Sequence, residues 1–133
     1  MTFEPGQQLE PQSYTVTRGH LVRYAGASGD FNPIHWSDRV AASVGLPGVI
    51  AHGMFTLALA GRALTTWVDD PARVLTVGAR FTKPVVVPDD DAGVDVEVAG
   101  VVTSVEDGVA TIDLAVTSAG QKVLGMSKAT VRC

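Results

Sequence analysis

The chain has 133 residues, of which 46% are hydrophobic and 18% charged, and its net charge is −4. This length suits one domain over 1–133 with a core large enough to fold, and the composition argues against disorder. The ten Lys and Arg residues are scattered rather than clustered in a run, so nucleic-acid binding is not expected.

The amino-terminal region predicts no export signal. Within the first 30 residues no basic stretch precedes an apolar one, so a cytoplasmic location follows by default. The longest apolar segment, residues 49–68, is interrupted by Gly61 and Arg62. Because an arginine at a bilayer centre costs about 2.5–3.5 kcal/mol on insertion scales, a buried helix is favoured and no membrane contact is expected.

Three helices are predicted in the first half of the chain. Thr17 caps a short helix that Gly26 and Gly29 end, and Ser37 caps a second short helix. A third and longer helix, over about 53–67, has apolar residues at i, i+3, i+4 and i+7 spacing. Further apolar residues widen this stripe until it covers nearly all sides of the helix. The helix is therefore predicted to be almost enclosed by the rest of the domain.

The second half of the chain is predicted to be strands. The first covers 74–81, and alternating Val with Asp and Glu from residue 94 predicts a half-exposed strand. Asp107-Gly108 favours a hairpin turn before a strand over 109–117, and the last strand covers 121–131. A series of strands after one buried helix indicates the α+β class.

Few residues offer ligands to a metal ion. Cys133 is the only cysteine, so no disulfide framework can form within one chain. The three histidines, at positions 20, 35 and 52, lack the His-x-x-x-His spacing of a helical zinc site. We therefore expect neither a metal ion nor another cofactor.

Residues 28–35 read Ser-Gly-Asp-Phe-Asn-Pro-Ile-His and place an acid, Asp30, five positions before a base, His35. Asn32-Pro33 between them favours a tight turn, because proline fixes its own φ and excludes helical geometry from the preceding residue. Such a bend can aim a carboxylate and an imidazole into one cleft for general acid–base catalysis. The alternative is an ordinary turn in which Asp and Asn satisfy their own backbone groups.

Residues 24–35 resemble the hydratase motif of the MaoC-like, (R)-specific enoyl-thioester hydratases and dehydratases, and 51–54 resembles the next landmark of that family. Within the family the likeness is closest to the catalytic β subunits of the mycobacterial-type (3R)-hydroxyacyl-ACP dehydratases. The resemblance implies a hot-dog fold, in which an antiparallel sheet is wrapped around a long central helix.

The resemblance also implies a reaction, the interconversion of (3R)-hydroxyacyl and trans-2-enoyl thioesters carried on CoA or on acyl carrier protein. Asp30 and His35 would transfer protons, and the N–H of Gly53 would bind the thioester oxygen. Unpaired N–H groups at a helix N-terminus suit that task. The residues expected beside the substrate are Asn32, His52, Met54 and Phe81. The expected partner is a second hot-dog subunit, identical or homologous.

Two alternatives use the same fold. A hot-dog acyl-thioesterase also employs a carboxylate and a helix N-terminus, but it does not need the Asp-x-Asn-Pro-x-His arrangement. An acyl-binding structural subunit of a heteromeric dehydratase keeps the fold and loses the catalytic pair. This chain retains Asp30 and His35, which favours an enzyme over a purely structural subunit.

Overall fold

A single antiparallel sheet packs against one long helix in the computed structural model, which describes residues 2–133. The strands are β1 Gln8–Val16, β2 Val74–Phe81, β3 Val94–Glu106, β4 Val109–Ser118, β5 Gln121–Lys122 and β6 Leu124–Arg132. The helices are α1 Arg18–Ser28, α2 Asp38–Ser43 and α3 Gly53–Val68, with short 3-10 turns at Pro33–His35 and Pro71–Arg73. The strand order is β1-β3-β4-β6-β2, and β5 pairs with β4.

Helix α3 is the buried helix that the apolar spacing predicts. Its buried residues are Thr56, Leu59, Ala60, Ala63, Leu64, Trp67 and Val68. At its carboxyl end the Trp67 indole N–H donates to the carbonyl of Glu10 at 2.7 Å. The same ring lies so close to Gly100 that an added Cβ would be 2.9 Å from it, so a larger residue there would force the helix off the sheet. No helix within residues 2–133 combines the length and apolar character needed to cross a bilayer.

The structure differs from the predicted elements at three places. Helix α1 continues through Gly26 and ends at Gly29, where φ is +76° and glycine costs no strain. Strand β1 has no predicted counterpart, because Pro11 and the polar residues around it weaken the strand pattern; its pairing with β3 is irregular at this point. The last predicted strand is divided at Val123, whose N–H bonds to Val116 of β4.

The segment between α1 and α3 is tied to the rest of the domain at two places. Residues 49–51 form a short antiparallel bridge with residues 85–87, flanked by two main-chain hydrogen bonds of 2.9 Å. Arg18, at the start of α1, donates to the carbonyl of Val87 at 2.6 Å and forms an ion pair with Asp38 at 2.9 Å. The hydrogen bond from Arg18 and a second one from a main-chain N–H hold the pKa of Asp38 below its usual value. The segment is therefore fixed at its middle and near its end.

Candidate active site

The loop after α1 forms the bend predicted from its sequence. The carboxylate of Asp30 accepts a hydrogen bond from Asn32 N at 3.1 Å. The side-chain oxygen of Asn32 accepts one from Ile34 N at 3.2 Å and so caps the 3-10 turn. Asp and Asn thus satisfy nearby backbone groups, as in an ordinary turn, and the side chain of Asn32 braces the loop.

The bend brings His35 and Asp30 together. His35 Nδ1 lies 2.7 Å from the carbonyl oxygen of Ile50. A carbonyl can only accept, so Nδ1 carries the hydrogen and Nε2 of the neutral ring has a free lone pair. Nε2 lies 3.8 Å from Asp30 Oδ2, which is too long for a direct hydrogen bond but allows one water molecule to contact both atoms. His35 is buried, whereas the side chain of Asp30 is 51% exposed.

Gly53 is the first residue of α3. Its N–H belongs to the first turn, where no carbonyl of the same helix can accept it and where the helix dipole is positive. The preceding residue, His52, contributes no side-chain hydrogen bond to this helix end. A Cβ on Gly53 would lie 2.9 Å from the ring of Phe81. The end of α3 is therefore accessible only because residue 53 lacks a side chain.

His35 and Gly53 both line one cavity of about 290 Å³. Its apolar wall is formed by Leu46, Ile50, Ala51, Val85, Val123 and Leu124. Thr56 and Lys83 add polar groups to the lining. A mostly apolar cavity with a few convergent polar groups is typical of a small-molecule site.

The four residues expected beside a substrate lie in different places. Phe81 lines the cavity. Asn32 braces the loop, Met54 is largely exposed and does not line the cavity, and His52 is buried behind His35. The sequence reasoning missed Thr56, although it lies one helical turn after Gly53 and the spacing alone could have identified it.

Two further wall residues had no local signal in the sequence. Leu124 reaches the cavity because it lies in β6 opposite Phe81 of β2. Val123 comes just before it, where its carbonyl accepts a hydrogen bond from Thr82 N. Their position depends on strand pairing between segments about 40 residues apart, which a local pattern does not encode.

Within residues 2–133, Asp30, His35 and His52 form a group of possible metal ligands, whose ligand atoms lie within 4.8 Å of one another. One nitrogen of each histidine already bonds to a backbone carbonyl, of Ile50 and of Asp30. The two rings stack with centroids 3.8 Å apart and planes inclined by 22°. Lone pairs lie in the ring plane, so those of stacked rings do not converge on one ion. The arrangement favours proton transfer over metal binding.

Solved structures share this architecture over nearly the whole chain. A MaoC-like dehydratase superposes with a TM-score of 0.94 at 34% identity, covering 98% of this chain and 40% of that one. The R-hydratase PhaJ1 from Pseudomonas aeruginosa superposes with a TM-score of 0.83 at 28% identity, covering 98% of this chain and 82% of that one. The α+β hot-dog fold, a sheet around a central helix, is thereby confirmed.

The MaoC-like domain model matches residues 2–119, and the chain belongs to this family. A curated relative, 3-hydroxyacyl-thioester dehydratase X from Mycobacterium tuberculosis, is 41% identical over 73 residues, which cover 55% of this chain and 25% of that protein. Peroxisomal enoyl-CoA hydratase 2 from Arabidopsis thaliana is 41% identical over 56 residues, covering 41% of this chain and 18% of that protein. The chain thus spans a quarter or less of the length of these curated relatives.

Proposed function

We propose that the chain catalyses the reversible hydration of a trans-2-enoyl thioester to a (3R)-3-hydroxyacyl thioester. The observation that supports this most is the shared cavity of His35 and Gly53, with the Asp30 carboxylate 3.8 Å from the imidazole. This reaction needs a proton-transferring pair and an N–H donor, and here one member of the pair, His35, and the donor line the same apolar cavity. The similarity to proteins named as a dehydratase and an R-hydratase agrees with it.

The reaction passes one proton from water through the pair to the substrate. In the hydration direction, His35 Nε2 or the Asp30 carboxylate takes a proton from water as the hydroxide adds to Cβ. The same proton is then given to Cα, directly or through the other member, so the pair begins and ends with the same number of protons. The lone pair on His35 Nε2 and the half-exposed carboxylate of Asp30 are placed for these two transfers.

Negative charge develops on the thioester oxygen when Cα becomes enolate-like. The N–H of Gly53 is the proposed donor to that oxygen, and one such donor typically contributes about 2.7–4 kcal/mol to transition-state stabilisation. The apolar wall of the cavity accommodates the acyl chain. The pantetheine arm of CoA or of an acyl carrier protein leaves through the cavity mouth, where Lys83 can meet an anionic group.

Crotonyl-CoA tests this proposal directly. The purified protein is expected to remove the enoyl absorbance without releasing free thiol, which a thiol-reactive dye would detect. The product should not be oxidised by an (S)-specific 3-hydroxyacyl-CoA dehydrogenase. Release of thiol from acetyl-CoA would instead identify a thioesterase, and no change in absorbance in the presence of either a CoA or a carrier-protein thioester would reject the hydratase.

A second subunit is proposed along strand β2. Of the two edge strands, β1 is interrupted by Pro11, which protects an edge from further pairing. Strand β2 has no proline, and it exposes the apolar side chains of Leu75 and Phe81, of which Phe81 lines the cavity. An unprotected edge with exposed apolar groups favours pairing with an identical or homologous hot-dog chain.

We expect light scattering at micromolar concentration to give the mass of a dimer for the chain alone or mixed with its homologous partner. Leu75→Glu should shift the population toward monomer, because it places a charge on the proposed pairing edge. Val22→Glu replaces another exposed apolar residue, on α1, and should leave the dimer intact. The assembly would be contradicted if the native protein is monomeric both alone and when mixed with a homologous hot-dog chain. Equal effects of the two variants would also contradict it.

A further inference from the structure

His52 is buried in contact with both members of the proposed catalytic pair, although it does not line the cavity. The residue is 2% exposed, and its ring stacks on that of His35. Tyr24 of α1 contacts the His52 ring at a centroid distance of 4.8 Å. The imidazole is therefore shielded from solvent, and its orientation is fixed by packing against the rings of Tyr24 and His35.

The hydrogen bonds of His52 define its protonation. Nε2 lies 3.1 Å from the carbonyl oxygen of Asp30, so this nitrogen carries a hydrogen and donates it. Nδ1 is buried without a hydrogen-bond partner. A proton on Nδ1 would be a buried charge with no acceptor, so the ring is neutral.

One neutral ring thus touches both reacting residues. It contacts Asp30 through the main chain and His35 through the face of the imidazole. The other constraint on His35 is the hydrogen bond from Nδ1 to Ile50. Two constraints fix the direction of His35 Nε2 toward Asp30, and His52 supplies one of them.

We infer that His52 is a positioning residue, which in its neutral form sets the distance and angle between the Asp30 carboxylate and the His35 imidazole. This inference rests on the proposed function. His52 touches neither substrate nor reacting atoms, and it acts through the two residues that do. Misplacement of reacting groups by about 1 Å can cost 10²-fold in rate, so the effect is expected in turnover rather than in binding.

Two substitutions separate the contacts of His52. His52→Phe keeps a stacked ring and removes the donor to Asp30, whereas His52→Gln keeps an N–H donor and removes the stacked ring. Each is expected to lower kcat for crotonyl-CoA by roughly 10- to 100-fold, with KM changed by less than about threefold. Trp67→Phe is the matched control, because it also removes a ring N–H bonded to a backbone carbonyl, at the far end of α3. It should lower the melting temperature and leave kcat unchanged.

The pH dependence of stability gives a readout independent of catalysis. Burial lowers the pKa of His52 from its ordinary value of 6.5, and the neighbouring His35 lowers it further, while the carbonyl and carboxylate of Asp30 raise it. Tyr24 is the titratable group that faces it from α1. The unfolded chain therefore binds a proton near pH 6.5 that the folded chain takes only at lower pH. The free energy of unfolding should fall as the pH drops below 6.5, and less steeply in both His52 variants.

Nitrogen-edited NMR of the imidazole rings tests the protonation of His52 in the native protein and the effect of His52 on His35 in a variant. We expect His52 to show the neutral Nε2–H form at pH 7 and to remain neutral below pH 6.5, and His52→Gln to change the signals of His35. Normal kcat in both variants, a rise in KM that accounts for the loss of activity, or a protonated His52 at pH 7 would overturn the inference. If the native protein does not hydrate enoyl thioesters but these signals are found, the proposed function fails while the positioning of His35 by His52 stands.

Discussion

Asp30→Asn and His35→Ala are each expected to lower hydratase turnover by about 10² or more, the usual scale for a residue that transfers a proton. Asp30→Asn removes a carboxylate that is half exposed and adds no bulk, so the melting temperature should stay close to that of the native protein. His35→Ala differs, because the ring is buried and Nδ1 bonds to Ile50. Loss of that bond is expected to cost roughly 1–3 kcal/mol in the free energy of unfolding.

Steady-state rates with crotonyl-CoA measure the loss of turnover in each variant, and circular dichroism measures the melting temperature. Asp113→Asn is a matched control, since the Asp113 side chain is 50% exposed and also lies beside a single basic side chain, Lys128 on the sheet. This variant should keep normal turnover. If Asp30→Asn or His35→Ala keeps turnover near the native value while folded, proton transfer by this pair is excluded.

Gly53→Val is expected to reduce kcat/KM by about 10²–10³, the loss found when one oxyanion donor is removed. An added side chain would meet the ring of Phe81 at 2.9 Å. Since Phe81 is 57% exposed, its ring can turn aside at small cost. Valine is also no worse than glycine in a helix. The melting temperature should therefore change little, while the side chain obstructs the approach of the thioester to the helix end.

Two controls separate obstruction of the donor from disturbance of Phe81. Gly61→Val lies in the same helix, and a Cβ at position 61 would meet nothing within 4 Å, so its activity should be normal. Gly53→Val combined with Phe81→Ala removes the steric contact. If the double variant regains native kcat/KM, the loss came from the displaced ring, and the oxyanion role of the Gly53 N–H is rejected.

The central helix and most strands could be predicted because their signals are local. Apolar spacing located α3, and the 74–81 pattern matches β2 at both ends. Strand β1 gave no such signal, since it is stabilised by pairing with β3 and by the hydrogen bond that Glu10 accepts from Trp67. Helix α1 passes Gly26 because a single glycine only weakens a helix, by about 1 kcal/mol.

For the candidate site, the turn at Asn32-Pro33 predicted that Asp30 and His35 approach each other because turns have local rules, whereas Gly53 was assigned to the same site only through the family resemblance. The sequence could not reveal the stacking of His52 on His35. That contact depends on how the loop folds back on the start of α3, and the residue type alone is equally compatible with a substrate contact. The bend at Asn32 was predictable, whereas the partner of each imidazole nitrogen was not.

The short bridge between residues 49–51 and 85–87 determines which nitrogen of His35 carries the hydrogen. The carbonyl of Ile50 receives the Nδ1 hydrogen of His35, and this carbonyl is held in place by main-chain pairing. The tautomer of the proposed base is therefore specified by backbone atoms. The residue at position 50 or at position 86 can be replaced by another apolar residue, and Nε2 of His35 still keeps its free lone pair. A comparison of residue types would overlook both positions, although the chemistry depends on them.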